Sequence, residues 1–113
     1  NINLDTSDLS IASKIAKIIR RSSGGYDCVK ALGVMLEDRN IAQVSINMIN
    51  YTKTPMYRVF ENVRFEAERY GVQIVGSEVI GVVPMDAMID AAEYYLKVEN
   101  FDKDSQIMEK HLI

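Results

Sequence analysis

Tryptophan is missing from this chain of 113 residues, histidine and cysteine occur once each, and proline only twice. The scarcities exclude whole classes of chemistry. A lone Cys28 cannot close an internal disulfide, which fits a reducing, cytosolic setting. No His, Cys and carboxylate cluster has metal-ligand spacing, so no metal site is expected. No apolar run approaches the roughly 20 residues that a membrane-spanning helix needs, and no signal peptide is visible. The 13 basic residues are scattered, with only Arg20 and Arg21 adjacent, and the net charge is −3. Nucleic acid is therefore not the expected partner, because phosphate binding needs a clustered basic face.

What is present suits one compact domain. The hydrophobic fraction is 48%, and a chain this long buries roughly two-thirds of its unfolded surface without disulfide or metal staples. It opens on Asn-Ile-Asn-Leu rather than Met, so the expectation is a domain cut from a longer protein or one whose start was trimmed.

Hydrophobic periodicity divides the chain into alternating elements. Residues 1–4 alternate as a short strand. Leu9, Ala12, Ile15, Ala16 and Ile19 fall at helical spacing, with Thr6 or Ser7 as cap, Asp8 at the positive end and Gly24-Gly25 as the stop. Strands are expected over 29–37 and 41–50, joined by a short turn at Asp38-Arg39-Asn40. Thr54-Pro55 announces a helix with Met56, Val59, Phe60, Val63 and Ala67 inward. A fourth strand spans 72–80. Pro84 opens a third helix with Met85, Met88, Ile89, Ala92 and Leu96 inward, and 99–113 allows a short last helix. The order β-α-β-β-α-β-α predicts an α+β, ferredoxin-like βαββαβ sandwich. Its four-stranded antiparallel sheet carries helices on one face, the first and third strands lie at its centre, and an extra C-terminal helix follows.

The strand IAQVSINMIN poses a question. Val44, Ile46 and Met48 form its apolar side, while Gln43, Ser45 and Asn47 form a side of uncharged hydrogen-bonding groups. Leu32, Val34, Leu36, Val75 and Val79 are assigned to the helix side with Ile2 and Leu4. The opposite, open face then carries Asn1, Asn3, Gln43, Ser45 and Asn47, with small Ala31 and Gly33 beside them and Ile74, Gly76 and Glu78 from the fourth strand. Small residues admit a flat ligand and amides read its edges. A solvated face, or one packed on another domain, is the competing reading.

The motifs NINL, VKALGVMLE, AQVSINM, TPMYRVFE and VGSEVIGVVP, in order along nearly the whole chain, resemble the C-terminal subdomain of glutamate formimidoyltransferase, or formiminotransferase. The resemblance implies a transferase moving a formimino group from N-formimino-glutamate to tetrahydrofolate in histidine degradation. It also implies a dimeric, cytoplasmic parent in which two α/β subdomains set their sheets face to face around a folate tunnel. Residues 1–113 would be the C-terminal subdomain, with the N-terminal formiminotransferase subdomain as partner. Asn1, Asn3, Gln43, Ser45 and Asn47 would form a tunnel wall, and Gly76, Ser77, Glu78 and Gly81 would line or shape its end.

The family's catalytic histidine belongs to the N-terminal subdomain, so no catalytic residue is assigned to this chain, which is not expected to catalyse transfer alone. His111, outside every motif, reads as a tail residue. Glu78, the one carboxylate in an apolar run, reads either as a proton carrier with a raised pKa or as a strand-end acceptor for backbone or a partner's Arg. Gly76 and Gly81 read as close-approach or turn glycines, Cys28 as a half-buried thiol, and the six methionines as core filler. Charge compensation for an anionic folate would come from Lys30, Lys53, Arg58 or the partner. Two alternatives stay open: a non-catalytic dimerisation or interaction module, and a related folate enzyme that transfers formyl.

Overall fold

The computed structural model describes residues 1–20 and 24–111; Arg21, whose positive charge suits the last turn of a helix over 9–21, lies outside them. Strands β1 (Ile2–Leu4), β2 (Val29–Leu36), β3 (Ile41–Met48) and β4 (Ile74–Ser77) form one sheet in the order β2-β3-β1-β4. Every neighbouring pair is antiparallel, with β1 and β3 in the centre. Helices α1 (Leu9–Ile19) and α2 (Met56–Glu68) follow β1 and β3. This is the α+β, ferredoxin-like arrangement expected from the element order.

The periodicity of α1 is realised: Ala12, Ile15, Ala16 and Ile19 are buried, while Leu9 swings to 41% exposure. Asp8, rather than Thr6 or Ser7, is the N-cap, and its carboxylate accepts from Ser10 N at 2.9 Å. Thr6 serves one step earlier, its hydroxyl accepting from Asp8 N. Val59, Val63 and Ala67 of α2 meet Leu4, Ile15 and Val44 in the core. Thr54 is buried but does not cap α2; its hydroxyl donates to the Asp27 carbonyl, and Pro55 takes the N-cap place.

Two strand faces differ from expectation. In β2, Gly33 lies opposite Val44 and Leu32 opposite Ser45, so Ala31, Gly33 and Met35 turn to the helices. Lys30, Leu32, Val34 and Leu36 turn to the open face, and Leu32 is 62% exposed. In β4, an irregularity between Asn3 and Leu4 puts Ile74 opposite Leu4; Ile74 packs on the core, and Val75 and Val79 are exposed. Such a slip reverses which side chains are buried.

Helix α3 (Met85–Leu96) packs on α2 through rings, Tyr57 stacking on Tyr94 at 4.2 Å and Phe60 meeting Tyr95 edge-on at 6.2 Å. Its buried residue is Ala87, whereas Met85, Met88 and Leu96, expected inward, are exposed, and so is Ala92. Aromatic contact to α2, not a sheet-facing stripe, orients it. A short helix α4 (Lys103–Gln106) and a 3-10 turn (Met108–His111) end the described chain.

Candidate functional site

At the centre of the open face, Asn3 and Gln43 stand opposite each other in the β1–β3 register. Each is almost fully covered, at 2% and 6% exposure. Gln43 Nε2 donates to Asn3 Oδ1 at 2.9 Å, and Asn3 Nδ2 donates to Glu78 Oε1 at 3.1 Å. A row of amide, amide and carboxylate thus crosses β3, β1 and the end of β4. Glycine at 76, opposite Asn3, leaves that row uncovered by a side chain on the β4 side. A Cβ at Gly76 would touch nothing within 4 Å, so close approach of protein backbone does not explain this glycine.

Asn1 continues the pattern at the strand end. Its Oδ1 accepts from Ile46 N at 3.2 Å and from Ser45 Oγ at 3.4 Å. The ladder runs one step past Ser77, with Glu78 N donating to Asn1 O at 2.8 Å. Glu78 is exposed, and its Oε1 is the acceptor at the end of the row. Ser77 lies opposite Ile2 and so turns to the helix side. Asn47 is exposed opposite Lys30 on β2. Gly81 lies apart, in the segment after β4, at φ +79, a turn conformation that glycine adopts without strain.

The structure also contains a groove of about 530 Å³ at this end of the sheet, between α2, the segment 78–84 and α3. Ile46, Met48 and Phe60 line one side, and Val83, Ala87 and Met88 the other. Four of the predicted site residues, Asn1, Asn47, Ser77 and Glu78, lie on its rim. The methionines read as core filler are therefore partly groove wall. A signal was present in the sequence: Val79-Ile80-Gly81-Val82-Val83-Pro84 is apolar without helical or strand period, which suits a strap over a hydrophobic recess. Tyr95, also lining the groove, donates to Glu61 Oε2 at 2.8 Å. Burial and the adjacent carboxylate push its phenol well above the ordinary range.

A depression of about 640 Å³ on the other side of α2, lined by Tyr26, Asn62, Phe65 and Tyr94, holds none of the predicted wall residues and one of the cations named for charge compensation, Arg58. No group of three or more His, Cys, Asp or Glu among the described residues is placed to hold a metal. No helix among them is long and apolar enough to cross a membrane. His111 is exposed at the end of the described chain, and Cys28 is half-buried at the start of β2. Lys53 and Arg58 are exposed, and neither lines the groove.

The chain is similar to proteins of known name along its whole length. It is 63% identical over 113 residues to a glutamate formimidoyltransferase of Streptococcus pyogenes, covering 100% of this chain and 38% of that protein. A glutamate formimidoyltransferase of Thermoplasma acidophilum is 49% identical over 112 residues, with 37% of its length covered. The formimidoyltransferase-cyclodeaminase of Gallus gallus is 42% identical over 105 residues, with 19% of its length covered. The chain thus spans well under half of the relatives it matches. Since the formiminotransferase domain profile also matches residues 1–113, the chain belongs to the formiminotransferase domain family.

Proposed function

We propose that this chain is the folate-facing subdomain of a cytoplasmic, dimeric transferase that moves a formimino group from N-formimino-glutamate to tetrahydrofolate during histidine degradation. A second α/β unit, the N-terminal subdomain, covers the open sheet face and supplies the base. The reaction needs a folate amine to attack an amidine carbon, a group to accept the proton, and exclusion of water from the tetrahedral intermediate. This chain's part is to bind and orient.

The observation that carries the reading is the row Gln43–Asn3–Glu78, held by bonds of 2.9 and 3.1 Å on the sheet face opposite the buried side of α1 and α2. Beside it Leu32 stands 62% exposed. Polar groups fixed in place next to bare aliphatic side chains suit a face closed by another unit around a ligand. The names of the relatives support the same reaction.

Calorimetric titration of folinic acid into the chain alone, and into the chain mixed with the remainder of the Streptococcus relative, tests this. Much tighter binding in the mixture is expected. If the two halves associate yet folinic acid binds no better, the chain is an interaction module. That second reading has its own support in exposed Val82 and Leu96, at 99% and 74%.

A further inference from the structure

We propose that two copies of this chain join through the free edge of β2, each β2 running antiparallel to the partner's β2 about a two-fold axis at Gly33. The inference rests on the dimeric part of the reading above and assigns it a surface; the folate part stands without it.

The edge is long and open. β2 has eight residues and pairs with β3 alone, whereas β4, the other edge, has four. Ile49 N donates to Cys28 O at 2.8 Å. Alternation along an antiparallel pair then turns the backbone N–H and C=O groups of Lys30, Leu32, Val34 and Leu36 to β3, and those of Val29, Ala31, Gly33 and Met35 outward. No described residue bonds the outward set. Free edges are ordinarily guarded by proline, a bulge, several charges or shortness. β2 has no proline, no register shift and one charged residue, Lys30. Leu32 beside the edge is 62% exposed. An unguarded edge of this length is a template for another strand.

The charges at its two ends select a second copy. Lys30 is the second residue of β2, and Glu37 and Asp38 follow its last; all three are exposed. None has an ion-pair partner among the described residues. Arg39, one step further, lies in the turn beyond them. Antiparallel pairing of β2 with itself brings the cationic end of each copy to the acidic end of the other, twice over. An axis at Gly33 sets outward groups against outward groups: Gly33 faces the partner's Gly33 and Ala31 the partner's Met35, each as a hydrogen-bonded pair. Between them, on the open face, Leu32 meets the partner's Val34 as an aliphatic cross-strand pair. The helix layer permits the approach. Ser13 of α1 lies directly over Gly33, its N 2.7 Å from where a Cβ would stand. A small side chain therefore sits where the two α1 helices come closest, with Leu9, 41% exposed, one turn away.

Sedimentation equilibrium of the chain, alone and with the remainder of the Streptococcus relative, should give two copies of this chain per particle. Lys30→Glu should weaken the dimer by about two- to thirtyfold, the worth of two exposed ion pairs, and adding Glu37→Lys and Asp38→Lys should restore it. In a Cys28→Ser background, Leu32→Cys together with Val34→Cys should give a disulfide-linked dimer on mild oxidation. Cross-strand residues of a non-hydrogen-bonded pair stand about 4.5 Å apart at Cα, within disulfide reach. Leu32→Cys alone should not link, since its like residue lies on the diagonal. One copy per particle at every concentration, with and without the complementary unit, overturns the inference. So does a dimer in which the cysteine pair fails to link, or in which Leu32→Cys alone links as readily. Folinic acid that binds with the complementary unit present, in particles holding one copy, removes this interface and leaves the folate reading intact.

Discussion

Replacing Gly33 with Ala separates the two possible faces of β2 in one experiment. A Cβ at Gly33 would lie 2.6 Å from Ser13 Oγ, 2.7 Å from Ser13 N and 2.9 Å from Ser13 Cα. Two of these atoms cannot rotate away, so α1 must lift from the sheet. Overpacking of this kind costs about 1–3 kcal/mol. Removing glycine from a strand interior otherwise gains about 0.5–1 kcal/mol. The net loss expected is about 1 kcal/mol, with an upper bound of about 2.5 kcal/mol. Urea denaturation followed by far-UV circular dichroism measures it, with the midpoint lowered and the slope unchanged. Adding Ser13→Ala removes only the Oγ contact, so the double variant should recover a small part of the loss. Were Gly33 on the open face, the single variant would be as stable as the parent or more so, and the observed register of β2 would be wrong.

Asn3→Leu leaves the Gln43 amide and one Glu78 oxygen without their partner; a loss of about 1–3 kcal/mol is expected in the same assay, and no loss would mean the row is dispensable. Ser45→Val and Asn47→Leu should keep the urea midpoint near that of the parent while weakening folinic acid binding in the complete enzyme; unchanged binding in both would remove them from the ligand wall. The bonds from the Ser10 hydroxyl and N–H hold the Asp8 carboxyl below the usual carboxylate range. Its stabilisation is therefore complete above the unfolded value of about 3.9 and is lost as pH falls through the lower folded value. Asp8→Asn keeps an acceptor but does not titrate, so thermal melts should show a parent–variant difference that is constant near neutrality and changes only on the acid side. Lys103 and Lys110 tie the terminal segment to Asp90 and Asp86 at 3.1 Å each, and α4 has no buried residue. At about 1 M salt, where screening acts within about 3 Å, amides of 103–110 should exchange hydrogen faster while those of β1 and β3 do not; equal protection would indicate apolar docking.

Much of this protein follows from its residue pattern alone. The apolar stripes of α1 and α2 sit where 3.6-residue spacing puts them, because in each a polar face leaves one way to bury the helix. The same holds for β3, where Val44 inside and Asn47 outside permit a single orientation. Strand order followed from the sequence of elements, since short connections and packed layers allow few topologies. In β2, by contrast, alternation points to Leu32, Val34 and Leu36 as the inner face, whereas the structure turns Val29, Ala31, Gly33 and Met35 inward. The choice was made by α1, which approaches too closely for any side chain at position 33. Helix α3 was misjudged for a related reason: it is apolar on several sides, and only the rings of Tyr57 and Phe60 on α2 selected which side it turns inward. The amide row could be listed from the strands, but its bonding to Glu78 needed the β1–β4 pairing, and the groove needed three elements distant in sequence to meet. Local pattern determines what each segment can bury; only the packed neighbours decide between faces that bury equally well.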